Sequence, residues 1–135
     1  MTKADSANPT VRILIVEDNE INRDMLGRRL TRRGFEIFCA ADAATAIAMT
    51  ESEAPDLILM DIGLGEDNGL DVTRTIRAQD FGKSIPIIAL TAHAMVSDRD
   101  KCLAAGCNDF ETKPVEFDKL LTKINNCLMS KEVTG

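Results

Sequence analysis

The chain has 135 residues, of which 44% are hydrophobic and 28% are charged; this balance fits one globular domain with a buried core and excludes an intrinsically disordered chain. Its formal net charge of −6 argues against nucleic acid as the main partner, because phosphate backbones are bound by clustered Lys and Arg. The four cysteines lack the spacing of a zinc site, and no apolar run is long enough to span a bilayer. We therefore expect a cytosolic protein with reduced thiols.

One group of positive charges stands out against the acidic background. The basic run consists of Arg28, Arg29, Arg32 and Arg33. This spacing favours the solvated face of a helix, and a binding surface is the alternative interpretation.

Short apolar runs and amphipathic segments alternate along the chain. Residues 11–16 (VRILIV) are rich in β-branched residues and precede the polar EDN, a pattern typical of a buried strand ending in a loop. Apolar residues then recur in i, i+4 steps up to Gly34, which predicts a helix over 19–33. Further strands are predicted at 35–40, 56–60, 85–90 and 108–110. The other predicted helices are an Ala-rich segment opened by Asp42, residues 70–78 and 94–105, and an amphipathic segment beyond Pro114.

Five strands alternating with five helices imply an α/β fold with a doubly wound parallel sheet and helices on both faces, because parallel strands need crossover connections. We expect one domain over residues 11–129, a disordered N-terminal tail at 1–10 and a C-terminal tail at 130–135.

Polar residues follow four of the predicted strands at their carboxyl ends, where open parallel sheets bind ligands. They are Glu17 and Asp18 after strand 1, Asp61 after strand 3, Thr91 after strand 4, and Lys113 after strand 5. Clustered carboxylates repel one another by roughly 4 kcal/mol per pair, so three of them require a cation. Oxygen-only ligands suit Mg²⁺, while a hydroxyl and an ammonium suit a phosphoryl group.

Each of these residues also has a structural interpretation. An Asp after a strand often caps the next helix, Thr91 could cap helix 4, and Lys113 could be plain surface. Their joint occurrence favours a metal and phosphoryl site.

The segments ILIVEDN, DLILMDI, IPIIALTAHAM and TKP resemble the response-regulator receiver domains of two-component signalling, over residues 11–129. The resemblance implies a five-stranded sheet of flavodoxin-like order 2-1-3-4-5 and a Lys113–Pro114 peptide that is commonly cis. It implies that Asp61 is the phosphoacceptor and that Mg²⁺ is bound by Asp18, Asp61 and the Gly63 backbone carbonyl, with Glu17 acting through water. It also implies that Thr91 and Lys113 contact the phosphoryl group. Thr91 and Phe110 would together form the switch.

The resemblance also implies a function. The protein would be a signalling module rather than an enzyme, catalysing only its own phosphorylation and a slow autodephosphorylation. Its phosphodonor would be a histidine kinase or a histidine phosphotransferase. It would signal to a downstream protein target through the face formed by helix 4, strand 5 and helix 5, without contacting nucleic acid or inserting into a membrane.

The sequence departs from the family pattern in two places. Leu64 and Gly65 stand where the family usually has Met-Pro, so we expect the loop 63–69 (GLGEDNG) to be more mobile than usual, with Glu66 and Asp67 as solvated acids rather than ligands. Phe110 replaces the commoner Tyr, so a core aromatic remains the alternative to a switch residue.

Three other interpretations compete with this one. A haloacid dehalogenase-like phosphatase needs a second Asp two residues after its nucleophile, but the residue two positions after Asp61 is Gly63. A nucleotide-binding domain would have GxGxxG or GxxxxGK[ST] after a strand, and neither motif follows any predicted strand. The chain could also be the receiver portion of a larger hybrid histidine kinase, although Met1 and the C-terminal tail favour a stand-alone protein.

Overall fold

The computed structural model describes residues 10–64, 67–92 and 96–134, with the backbone alone for 96–98 and 130–134. Within these ranges five strands form one parallel sheet in the order β2-β1-β3-β4-β5, which confirms the predicted topology. The strands are β1 (Arg12–Val16), β2 (Glu36–Ala40), β3 (Leu57–Asp61), β4 (Ile87–Thr91) and β5 (Asp109–Thr112). The helices are α1 (Glu20–Arg32), α2 (Ala43–Glu53), α3 (Gly69–Arg77), α4 (Val96–Ala105) and α5 (Phe117–Thr134).

Alternate residues of the central strands face two separate cores. Leu14, Ile58 and Ile87 pack with residues of α2, α3 and α4 on one face of the sheet. Ile13, Leu57 and Ile88 pack with residues of α1 and α5 on the other face. The sheet is therefore doubly wound, and the strand order reverses between β1 and β3, where open sheets bind their ligands.

The carboxyl ends of three strands lie further along the chain than predicted. β3 includes Asp61 and β4 includes Thr91, while β5 runs to Thr112 rather than to Phe110. The backbone continues the ladder here, because the N–H of Ile62 donates to the Leu90 carbonyl at 3.0 Å. Two candidate site residues thus belong to rigid strands rather than to loops.

The two ends of the chain differ in what the structure describes. α5 continues to Thr134 and so extends into the predicted C-terminal tail; the assignment of 130–135 as a tail outside the domain stays a prediction. Residues 1–9 of the predicted N-terminal tail lie outside the described residues.

Asparagine and aspartate side chains begin the first three helices. Asn19, Asp42 and Asn68 are the N-caps of α1, α2 and α3, each accepting a hydrogen bond from a backbone N–H of its helix. The cap predicted at Asp42 is confirmed. Because Asn19 caps α1, Asp18 does not have that role.

Two short elements were not predicted. Gly63–Leu64 and Asp67–Asn68 pair as an antiparallel ladder that leads into α3, and Asp80–Gly82 forms one 3₁₀ turn. Leu64 is buried in the core, so an apolar side chain anchors this loop at the departure from Met-Pro. No helix in the described part of the chain is long and apolar enough to cross a membrane.

Gly69 permits the closest backbone approach in this region. Its N–H donates to the Ile62 carbonyl at 3.0 Å, and a Cβ atom at this position would lie 2.2 Å from the Asp61 carbonyl oxygen and 2.8 Å from the Ile62 Cα. Both obstacles are backbone atoms that cannot rotate away. Gly69 therefore lets α3 start directly against the end of β3.

Replacing Gly69 with Ala should lower the free energy of unfolding by about 3 kcal/mol, the upper end of the cost of overpacking. The matched control is Gly27→Ala inside α1, where a new Cβ would meet only side chains at ordinary distances of 3.7 Å or more. That substitution should raise the free energy of unfolding by up to about 1 kcal/mol, since Ala favours helices. Urea unfolding measures both, and equal effects of the two variants would refute the packing argument.

Candidate functional site

Three carboxylates meet at the carboxyl edge of the sheet. Glu17 and Asp18 follow β1, and Asp61 ends the neighbouring β3. One carboxylate oxygen from each of the three lies within 4.8 Å of the others. Asp61 and Glu17 are 2% and 4% exposed, whereas Asp18 is open to solvent. The structure therefore brings together all three acids that the sequence singled out.

This cluster carries unfavourable electrostatic energy. Two unit charges at this separation repel by about 3–4 kcal/mol at an effective dielectric constant near 20. Burial, followed by the hydrogen bond and the charge of Asp61, raises the pKa of Glu17 to about 7. The Asn19 N–H, which donates to Glu17 Oε2 at 3.1 Å, acts in the opposite direction. Glu17 thus holds its proton more tightly than an exposed glutamate, as expected of an acid crowded by another acid.

Lys113 supplies positive charge to the two buried acids. Its Nζ lies 2.9 Å from Asp61 Oδ1 and 3.4 Å from Glu17 Oε1. Burial alone would lower the pKa of Lys113, but hydrogen bonding and attraction to Asp61, with a smaller contribution from Glu17, raise it overall. The lysine therefore stays charged. The Lys113–Pro114 peptide is cis, which confirms the expectation from the family resemblance.

The backbone fixes the other two candidate residues beside Asp61. The N–H of Gly63 donates to Asp61 Oδ1 at 3.1 Å, which orients the carboxylate. Asp61 is in register with Leu90, so the buried Thr91 is the next residue along the neighbouring strand. The Thr91 carbonyl accepts the N–H of Lys113 at 2.7 Å. Thr91 and Lys113 are thus held at the same edge as the acids.

The donor set fits a hard divalent cation. Carboxylate and carbonyl oxygens are the ligands that Mg²⁺ prefers, and Mg²⁺ usually keeps several waters and binds through one or two carboxylates. Three carboxylates against one lysine leave a net negative site, which a cation would neutralise. The exposed Asp18 leaves one side of the cluster accessible from solvent.

Comparison with known proteins identifies this arrangement. The family described as response regulator receiver domain matches residues 13–125. The chain belongs to this family. Receiver domains are signalling modules that interact with histidine kinases and downstream targets and bind Mg²⁺ at an acidic pocket. The acidic group of Glu17, Asp18 and Asp61 lies where this receiver domain would have that pocket.

Three relatives illustrate the range of the family. The polar-differentiation response regulator DivK of Brucella anthropi is 34% identical over 116 residues, covering 86% of this chain and 94% of that protein. Hybrid signal transduction histidine kinase I of Dictyostelium discoideum is 39% identical over 129 residues, which are 90% of this chain and 7% of that protein. The receiver domain of the sensor histidine kinase PA1611 from Pseudomonas aeruginosa, solved with magnesium in its active-site cleft, has a TM-score of 0.81 and 38% identity, covering 89% of this chain and 98% of that one.

Phe110 lies half-buried on β5 of this receiver domain, between two cations. It packs against the core on the face of α2, α3 and α4. Its ring centroid is 6.0 Å from the guanidinium carbon of Arg99 on α4 and 5.1 Å from Nζ of Lys123 on α5. Phe110 is therefore both a core aromatic and a contact between three elements, so its packing leaves both interpretations of this residue open.

Lys123 is a residue of this region that the sequence analysis missed. Its Nζ lies 2.8 Å from Oε1 of the buried Glu111 and donates to the Phe110 carbonyl. No hydrogen-bond donor among the described residues is well aligned with that carboxylate oxygen, so the attraction to Lys123 is mainly ionic. Lys123 stands twelve positions after Glu111, so no local spacing signals the pair; an acid directly after Phe110 was the available hint.

Asp67, one of the two acidic residues of the loop 63–69, lies apart from the site. Asp67 is exposed, and its Oδ2 accepts the N–H of Ala43 at 3.1 Å, which ties the loop to the start of α2. It is absent from the carboxylate cluster formed by the described residues. The expectation that it is not a ligand stays a prediction. Glu66 lies outside the described residues.

Replacing Lys123 with Met should lower the free energy of unfolding by about 1–3 kcal/mol, because the carboxylate of Glu111 would stay buried without its cation. Adding Glu111→Gln to that variant should restore most of the loss, since no buried charge would remain. Lys119→Met, which removes an exposed partner of Glu116, is the control and should change the free energy of unfolding very little. Urea unfolding of all variants measures these differences; equal losses at Lys119 and Lys123 would contradict the assignment.

Proposed function

We propose that this receiver domain is a phosphorylation-dependent switch in which Asp61 accepts a phosphoryl group from a phosphohistidine donor. The supporting observation is the buried Asp61 carboxylate, oriented by the Gly63 N–H and held 2.9 Å from the Lys113 ammonium within an acidic cluster. A carboxylate oxygen of Asp61 would attack the phosphorus atom, the bond from phosphorus to the donor histidine nitrogen would break, and an acyl phosphate would form. The neutral histidine would leave with the donor.

The acidic cluster supports a Mg²⁺ site for this transfer. Asp18 and Asp61 would bind the ion directly, together with the Gly63 carbonyl, and Glu17 would act through a water molecule. The cation would neutralise charge on the carboxylates and on the incoming phosphoryl oxygens. The magnesium in the active-site cleft of the PA1611 receiver domain supports this assignment.

Lys113 and Thr91 would contact the phosphoryl oxygens. The ammonium of Lys113 already lies beside the Asp61 oxygen to which phosphorus would bond, and it is only part-buried, so it can follow the new charge. The hydroxyl of Thr91 is a donor at the same sheet edge. The hydrogen bond from the Lys113 N–H to the Thr91 carbonyl would couple any shift of the two residues.

The output would be a change of partner binding on the face formed by α4, β5 and α5. Movement of Thr91 toward the phosphoryl group would alter the start of the connection to α4, and Phe110 contacts cations on both α4 and α5. Two hydrogen bonds to a charged group supply ~3–6 kcal/mol. A shift of a two-state population from 1:99 to 99:1 needs about 5.5 kcal/mol, which two such contacts reach at the upper end of their range.

Membership of the receiver-domain family supports the wider assignment. The chain would catalyse only its own phosphorylation and a slow autodephosphorylation, take its phosphoryl group from a histidine kinase or a histidine phosphotransferase in the cytoplasm, and act on a downstream protein. Similarity to DivK over 94% of that protein supports a single-domain regulator. Similarity to 7% of a hybrid histidine kinase supports the second candidate, a receiver portion of such a kinase.

Acetyl phosphate with Mg²⁺ should label the wild-type protein on Asp61, and excess chelator should reduce labelling to background, because the cluster would then lack its cation. Asp61→Asn should remove the label. The control Asp67→Asn changes an exposed acid nearby and should be labelled at the wild-type rate. Phosphate-affinity electrophoresis and mass spectrometry follow the label. Full labelling of Asp61→Asn, or indifference to chelation, would show that the phosphoacceptor or the metal is wrongly assigned.

Substitutions of Asp18 and of Lys113 should affect Mg²⁺ binding differently. Asp18→Asn should weaken binding at least about tenfold, since even changes outside the direct ligands cost about 10–100-fold. Lys113→Met should bind Mg²⁺ as tightly as wild type or more tightly, because the lysine competes for the same oxygens of Asp61 and Glu17. Calorimetric titration of metal-free protein measures both affinities, and equal weakening in the two variants would argue against separate roles.

A further inference from the structure

The two acids after β1 lie on a short connection that is held from several directions. Glu17 and Asp18 fall between the end of β1 at Val16 and the N-cap of α1 at Asn19. The Glu17 N–H donates to the Ala40 carbonyl at 3.0 Å, and Glu17 Oε2 accepts the Asn19 N–H at 3.1 Å. These bonds satisfy the amide and fix the side chain of Glu17, so its backbone carbonyl still needs a donor.

Arg23 of α1 donates to that carbonyl. Its Nη1 lies 2.9 Å from the Glu17 carbonyl oxygen in a part-buried contact. β2 ends at Ala40, so the strand beside β1 does not extend the ladder past this point. Side chains of a helix point back toward its N-terminus, which brings a guanidinium from the first turns of α1 over the connection. Arg23 thus supplies the donor that the sheet lacks here.

The charge of Arg23 is not used in an ion pair. Arg23 pairs with no carboxylate in the described part of the chain, although three acids lie at the nearby edge of the sheet. Arg28, further along the same helix, pairs with Asp24 at 2.9 Å. A charged donor makes a stronger hydrogen bond than a neutral one, so a guanidinium holds the carbonyl more firmly than an amide would. The contact of Arg23 is therefore to the backbone of the acidic connection and not to its charges.

We propose that Arg23 is a positioning residue for the metal site, which keeps the connection of Glu17 and Asp18 in the geometry that binds Mg²⁺. This inference rests on the proposed function, in which Asp18 binds the ion directly and Glu17 acts through water. Asp18 is exposed and directly follows the carbonyl that Arg23 holds, so the place of its carboxylate depends on this backbone. Groups that orient metal ligands without touching the ion commonly change metal affinity by about 10–100-fold.

The charge of Arg23 and its hydrogen bond predict opposite effects on Mg²⁺ binding. Removing a positive charge beside an acidic site would by itself strengthen binding of a cation, since like charges repel. Loss of the hydrogen bond to the Glu17 carbonyl would release the connection and weaken binding. A loss of global stability alone would change neither, because the apparent affinity falls only with the fraction of protein in the competent state.

Arg23→Met should bind Mg²⁺ about tenfold more weakly than wild type in calorimetric titration of metal-free protein. Arg23→Lys keeps a charged N–H donor on a long side chain and should recover part of that loss. The matched control is Arg28→Met, which removes an equal charge from the surface of the same helix and should bind at least as tightly as wild type. Circular dichroism and urea unfolding verify that each variant is folded under the conditions of titration. If Arg23→Met does not fold, Arg23→Gln takes its place, with the same expected weakening.

A second measurement needs no metal. In metal-free Arg23→Met, amide hydrogen exchange at Glu17 and Asn19 should be about tenfold faster than in wild type, because both hydrogen bonds belong to the connection that Arg23 holds. Exchange at the same two amides should be unchanged in Arg28→Met. NMR follows both amides individually.

Unchanged or tighter Mg²⁺ binding by Arg23→Met would overturn the proposal, and so would equal weakening in Arg28→Met or wild-type amide exchange in Arg23→Met. The proposed function is tested separately in the same titrations. Absence of Mg²⁺ binding by wild-type protein would overturn both the metal site and the role of Arg23. Binding by wild type that is weakened by Asp18→Asn but not by Arg23→Met would overturn the role of Arg23 alone.

Discussion

The main constraint on this structure is electrostatic: several carboxylates lie at one edge of the sheet, and a single lysine supplies the positive charge near them. Glu17 and Asp61 are buried, and Lys113 contacts both. Burial of each ion costs desolvation free energy, and the attraction of one ammonium for two carboxylates offsets only part of that cost. The raised pKa of Glu17 is the direct sign of that imbalance. A site with excess negative charge in a rigid frame is suited to an added cation, which would neutralise that charge.

The rigid frame comes from the strands themselves. Asp61 and Thr91 are terminal residues of β3 and β4, and the ladder hydrogen bond from Ile62 to Leu90 continues past them. Gly69 lets the start of α3 lie against the backbone of Asp61, and its N–H donates to the Ile62 carbonyl directly after β3. The buried Glu17 and Asp61 therefore cannot relieve their repulsion by moving into solvent, because both cores of the sheet hold β1 and β3. The packing of the whole domain therefore offsets the electrostatic repulsion within the cluster.

The sequence allowed prediction of the strand and helix alternation, the sheet order and the residues that meet at its carboxyl edge, because hydrophobic periodicity and family motifs report these features. It did not reveal the ladder between Gly63–Leu64 and Asp67–Asn68, since a glycine-rich loop has no periodicity. It also placed strand ends too early, because polar residues such as Asp61 break the apolar pattern while the backbone ladder continues. The pair of Lys123 with Glu111 depends on tertiary packing alone, and no spacing along the chain encodes it.

The position of β5 at the edge of the sheet explains how one lysine can link the strand to α5. An edge strand leaves backbone groups without a strand partner, and these must be satisfied in another way. Lys123 donates to the Phe110 carbonyl, pairs with Glu111 and lies over the Phe110 ring. The same strand leads directly to Lys113 at the acidic site. A displacement of β5 at its carboxyl end would therefore also displace α5. The ion pair between Lys123 and the buried Glu111 joins the two elements, and breaking it would leave the Glu111 carboxylate without a cation. The helix should then move with the strand rather than detach from it.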